Sequence, residues 1–168
     1  MAKSPRFLDR LIHDSAAGEI RDGDIRYLMF RTDAVMGLFK RLPEAARREA
    51  LAALADSIAE HGGRSAAAYR ASGAAGSALL DVIVETAPQL GWGTWTFAER
   101  GPEQLVLEVR NSPFVHGFGA SPTPVCAPIT GMLRAVSAMV LDAPTTVEET
   151  MCAAQGPALC RFLARRGG

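Results

Sequence analysis

The hydrophobic positions of this chain change period several times along its length, and each change marks an element. Residues 7–14 read as a short helix, and "RDGD" (21–24) as a turn. "IRYLMF" (25–30) is nearly continuous in apolar character, which predicts a well-buried strand. Thr32 or Asp33 then caps a helix carrying Val35, Met36, Leu38 and Phe39. Pro43 opens a second helix with the stripe Leu51, Leu54 and Ile58, and Gly62-Gly63 is expected to stop it. Two Ala-rich helices, 64–72 and 76–90, follow around "SGAAGS". "GWGTWTFAE" (91–99) and "QLVLEVRNS" (104–112) alternate as strands of a hairpin, and 113–124 reads as a Gly/Pro loop with two phenylalanines. A long apolar helix runs from Pro124 to about Leu141, and "TTVEETMC" and "ALCRFLAR" close the chain as strands about a turn at Gln155-Gly156-Pro157.

These elements sum to an α+β fold: a mainly antiparallel sheet packed with helices, one of them long and buried. The 168 residues read as a single domain with its core at about 25–165 and an N-terminal extension at 1–24. A zero formal net charge offers no electrostatic basis for binding nucleic acid. No apolar run reaches the roughly 18 residues of a membrane span. The first 24 residues scatter charge and hold no apolar core of a secretory signal, so the expected location is cytoplasmic. Thiols stay reduced there, and three cysteines suit a disulfide framework poorly.

Those cysteines carry the most specific chemistry. Cys126 lies in the first turn of the apolar helix, and Glu149, Cys152 and Cys160 follow at intervals of 23, 3 and 8 residues. The turn at Gly156-Pro157 can bring Cys152 and Cys160 together. Glu149 and Cys152 would face opposite sides of a regular strand, so their convergence requires a bend at Thr150-Met151. Converged, three thiolates and a carboxylate form a four-coordinate set suited to zinc, with every position filled by protein, the pattern of a structural site. Such a set is net negative, and Arg161 or the helix N-terminus is a candidate to offset it. The same thiols left unliganded would be buried small hydrophobes.

"PVCAPITG" followed by "EETMCAAQGPALCRF" resembles the 4-vinyl-reductase (4VR) small-molecule-binding domain family. Its signature is a helix-borne Cys, then E-x-x-C-x-x-x-G-x-x-x-C, an Arg and an apolar residue, met here at Cys126, Glu149, Cys152, Gly156, Cys160, Arg161 and Phe162. "LGWGTWTF" and "LVLEVRNSP" resemble the family's hairpin, and the likeness spans residues 25–165 loosely and 90–163 well. The resemblance implies a fold shared with aromatic-responsive sensory domains, vesicle-tethering subunits and related ligand-binding sensors. It also implies a structural zinc at Cys126, Glu149, Cys152 and Cys160, a homodimer, and an apolar ligand cavity beside the long helix. The family's aromatic sensors carry Tyr after the helix Cys, where this chain has Ile129, Thr130, Met132 and Leu133.

On that helix Met132, Leu133 and Val136 share a stripe that either packs as ordinary core or walls the cavity. Trp95 and Phe97 share a strand face, and Phe114, His116 and Phe118 ride the loop that would close over it; His116 is the candidate polar contact. The leading expectation is a domain that senses or carries a small apolar or aromatic molecule and signals through a separate effector protein, since no helix-turn-helix is present. One alternative is an accessory protein or reductase in (bacterio)chlorophyll or tetrapyrrole metabolism. The chain shows no cofactor motif for that reduction, and no catalytic residue is assigned. Another is a ligand-free interaction subunit.

Overall fold

The computed structural model describes residues 6–71, 73, 74 and 76–167. Four antiparallel strands form the main sheet in the order β4-β5-β7-β6, with β4 Thr94–Arg100, β5 Gln104–Arg110, β6 Thr145–Met151 and β7 Cys160–Arg166. On the inward face, alternation along β5 and β7 brings Leu105, Leu107 and Val109 beside Ala164, Phe162 and Cys160. The helix α6 (Ala127–Leu141) covers this face with Ile129, Leu133 and Val136, all fully buried. The helix α4 (Ser77–Gln89) adds Leu79, Leu80 and Ile83 to the same core. The α+β architecture is as expected, with α6 as the long buried helix.

Outside α6 lies α3 (Glu44–Ala71), 28 residues long. It runs straight through Gly62-Gly63, which were expected to end it. The reason is tertiary: both glycines lie against α6. A Cβ on Gly62 would stand 2.6 Å from Met132 Cε, and one on Gly63 3.3 Å from Ala135 Cβ. The close approach offsets the roughly 1 kcal/mol that a helical glycine costs against alanine. Gly131 answers from α6, where any Cβ would strike the Ala55 carbonyl oxygen. The Ala-rich segment 64–71 is therefore the end of α3 rather than a separate helix, and Ser72 and Ala75 of "SGAAGS" lie outside the described residues.

The N-terminal third differs most from expectation. The first helix, α1, covers only Phe7–Arg10, and a small sheet of β1 (Ile12–Asp14), β2 (Glu19–Asp22) and β3 (Ile25–Tyr27) follows. "IRYLMF" is not a buried strand. Only Ile25–Tyr27 pairs, and Leu28, Met29 and Phe30 are 74%, 78% and 67% exposed before α2 (Thr32–Lys40). An apolar run is buried only where two layers cover it, and the small sheet has neither face covered. The predicted loop 113–124 also holds a short helix, α5 (Pro113–Phe118). Among the described residues no helix is long and apolar enough to cross a membrane.

The α3–α6 crossing makes a direct test. Gly131→Ala should cost about 1–3 kcal/mol, because a backbone carbonyl cannot step aside as a side chain can. Urea unfolding reads this; an unchanged midpoint would mean that the helices are not seated this closely.

Candidate metal centre

Three elements meet at one corner of the sheet. Cys126 is the residue before α6, Cys152 follows β6, and Cys160 begins β7. Glu149 lies on β6, where the pairing with β7 slips between Glu149 and Met151. That bulge is the bend the spacing demanded: one extra residue reverses the facing, so Glu149 and Cys152 point to the same place. A 3-10 turn (Ala153–Gln155) and Gly156 at φ 116° then return the chain to Cys160.

One donor atom from each of Cys126, Glu149, Cys152 and Cys160 lies within 4.8 Å of every other. The Cys126 and Cys160 sulfurs are 3.7 Å apart, and all three thiols are free and fully buried. A disulfide would need about 2.05 Å. Two sulfurs bound at about 2.3 Å in a tetrahedron are about 3.8 Å apart, so the spacing fits a shared ion.

The hydrogen bonds around the cluster orient it for the same purpose. The Cys126 N–H donates to Glu149 Oε2 at 3.0 Å, and the Ala153 N–H donates to Cys160 Sγ at 3.3 Å. Ser112 Oγ, itself buried, lies 3.2 Å from Cys126 Sγ. The other Glu149 oxygen, Oε1, is buried and has no partner. A buried carboxylate oxygen without a donor costs a few kcal/mol; a cation held with the three sulfurs removes that cost. The donors fit a metal ion.

Titration within the protein alone shows the same strain. Burial, and next the Cys152 charge, push the Glu149 carboxyl up to about 8. Hydrogen bonds from Cys126 and Cys152 pull the Cys160 thiol down, while those that Cys126 makes with Cys152 and Cys160, and then burial, raise Cys126. Four acceptors crowd together and share too few protons. Arg161, a candidate counter-charge, points away and pairs with Glu108 at 2.6 Å. The backbone N–H groups of Cys126 and Ala153 do that work instead. Sequence reasoning did not reach Ser112 or the Ala153 amide; only the fold brings them to the cluster.

The aromatic residues divide. Trp95, Phe118, Leu133 and Val136 are buried in the core, and Phe97, Phe114 and Met132 pack on it half-buried. Trp95 Nε1 donates to the Trp92 carbonyl at 3.0 Å, and Trp92 meets Phe114 edge-on at 5.3 Å. Met132 turns toward Gly62 of α3. His116 is exposed on α5, so the structure does not bring it into the buried group. Two surface clefts lie elsewhere, one between α3 and α6 and one between the 119–122 loop and the 153–156 turn.

A corner of thiols and carboxylate on an α+β sheet defines a class, and comparison with known proteins agrees. Residues 105–166 match the vinyl-4-reductase (4VR) domain, a span that contains all four candidate ligands and bears out the resemblance seen in the sequence. The fold is similar to the phenol-responsive sensory domain of the transcription activator PoxR, solved with phenol. The TM-score is 0.79 at 20% identity, over 95% of this chain and 86% of that one. It is also similar to a vinyl-4-reductase family protein from Methanocaldococcus jannaschii (TM-score 0.53, 14% identity, 82% of this chain and 91% of that one). A third neighbour is a trafficking protein particle complex subunit 3 from Naegleria fowleri, covalently bound to palmitic acid (TM-score 0.56, 12% identity, 82% and 95%). No curated protein matches the chain. At these identities the similarity shows the fold.

Glu149→Gln separates the metal from the fold. An amide keeps an oxygen for the Cys126 N–H and removes the buried charge. In metal-free wild type the carboxyl sits at about 8 against an ordinary 4.5, so stability falls as pH rises across that window and then levels. The metal-free variant should therefore match wild type near pH 5 and exceed it by a few kcal/mol at about pH 8.5. Loaded with metal the order reverses. Melting curves of both proteins, with and without metal, read the crossing; the same order in both states would exclude Glu149 as a ligand.

Proposed function

We propose that this chain is a small-molecule-binding domain, a sensor or carrier of an apolar compound, built around a structural zinc. The observation that carries the reading is its similarity, over 95% of its length, to a sensory domain solved with phenol. Two further features support it. The tethering-subunit neighbour holds a fatty acyl chain on a similar fold, and α6 presents an unbroken apolar face to Trp95 and Phe118. Ile129, Thr130, Met132 and Leu133 replace the tyrosines of the aromatic sensors, which favours an apolar ligand over a phenol.

The proposed site lies where Trp95, Phe97, Phe114 and Phe118 face Leu133 and Val136, with Met132 and His116 at its margins. These side chains fill that region now, so room for a ligand comes from displacing α5. That helix has six residues and ends at Gly119 with φ 81°, which only glycine adopts without strain. Trp92 and Trp95 are the only two tryptophans, and both adjoin this site. Titration with palmitate should therefore change their emission saturably and raise the melting temperature, more than phenol does. No response to either would contradict the reading.

Zinc is the metal that three thiolates and a carboxylate suit best, and four protein donors leave no position for a substrate. Elemental analysis should find one zinc per chain, and Cys160→Ser should cost several kcal/mol, because metal-binding free energy is folding free energy. Metal-free protein that tolerates Cys160→Ser unchanged would refute the site.

We further propose that the protein is a homodimer joined through Leu28, Met29 and Phe30. Three consecutive large apolar residues that exposed, beside the free edge of β3, form a self-complementary strip that a second copy can cover. Met29→Asp with Phe30→Asp should yield a folded monomer by light scattering. An unchanged dimer would place the interface elsewhere.

A further inference from the structure

Resting on the metal reading above, we infer that the ion reaches and leaves its site through the cleft between α3 and α6, and that Glu149 is the ligand that lets go first. The three sulfurs are sealed from solvent. Glu149 is only half-buried, and it lines a cleft of about 270 Å³ together with Ala52, Ala55, Ala127, Thr130 and Arg134. The cleft stays open because α3 and the start of α6 face each other there with alanines. It is held by Gly131, whose missing side chain fixes how closely the helices approach.

Glu149 is also the most weakly anchored of the four. It sits on the edge strand of the main sheet, at the bulge, and one hydrogen bond from the Cys126 N–H holds its carboxylate apart from any metal. Arg134 lines the same cleft and donates one N–H to the exposed Asp56 at 2.6 Å. A guanidinium has five N–H donors, so its fork retains capacity for a carboxylate that swings out.

A second cleft, of about 600 Å³, offers a rival route. Its wall includes Ala153 and Ala154, next in sequence to Cys152, but it contains none of the four donor atoms' residues. A small chelator entering there would meet backbone and a sealed thiol. One entering between α3 and α6 meets the releasable ligand. Size of opening and access to the ion thus point to different clefts, and access decides.

Exchange through a doorway proceeds in the folded protein, whereas a sealed structural site exchanges only as fast as the domain unfolds. The experiment loads the full chain with zinc, confirms the loading by elemental analysis, and follows transfer to the small chelator pyridine-2,6-dicarboxylate. Wild type should release zinc faster than it unfolds globally, at a rate that rises with chelator concentration. Ala52→Leu, an exposed helical position that accepts leucine, should slow release at least five-fold with an unchanged melting temperature. Ala120→Leu, in the other cleft, should leave the rate as in wild type. Release no faster than unfolding, an unaffected Ala52→Leu, or slowing by Ala120→Leu would each overturn the route. A chain that takes up no zinc at all would fail at the loading step, and with it the metal reading itself.

Discussion

Four electron-rich atoms from three separate elements must occupy one buried corner, and the rest of this structure is arranged so that they can. Three thiols and a carboxylate repel one another and strip each other of hydrogen bonds unless a cation sits among them. Glu149 shows the tension most directly: one oxygen takes the amide that opens α6, and the other has nothing. Satisfying that corner ties the start of α6 to the bulge of β6 and the first residue of β7. The helix is thereby laid across the sheet, and its register on the sheet decides which side chains meet Leu107, Val109 and Phe162.

The helix α6 then divides its surface between tasks. One face, with Ile129, Leu133 and Val136, completes the sheet's core and meets the aromatic group in which the ligand is proposed to bind. The opposite side packs on α3 through Gly131 and, nearer the metal corner, leaves the cleft lined by Ala127, Thr130 and Arg134. A metal at the helix start suits both tasks, because it holds the helix in place while the short α5 remains free to move. Stiffness at one end and adaptability at the other is what a binding domain needs to accept an apolar guest without losing its fold.

Much of this was legible in the chain, and what was legible shares a cause. Alternation in "QLVLEVRNS", the apolar helix after Pro124, and the 23-3-8 spacing of Cys126, Glu149, Cys152 and Cys160 are local patterns with one good structural solution each. Even the bend between Glu149 and Cys152 followed from period-two geometry before any coordinates. What misled was context. Gly62-Gly63 reads as a helix stop until α6 is laid against it, and "IRYLMF" reads as buried until the fold turns out to place no layer over it. The same limit hid Ser112 and the Ala153 amide, and it made Arg161 look like the counter-charge when its strand face pairs it with Glu108. His116 looked inward only while its loop had no helix.

The central claim is that Cys126, Glu149, Cys152 and Cys160 together hold one zinc ion. X-ray absorption at the zinc edge of the purified protein tests it most directly. The account predicts three sulfur scatterers at about 2.3 Å and one oxygen at about 2.0–2.2 Å, with no ordered water in the shell. A shell with fewer than three sulfurs, or with all light-atom ligands, would contradict it.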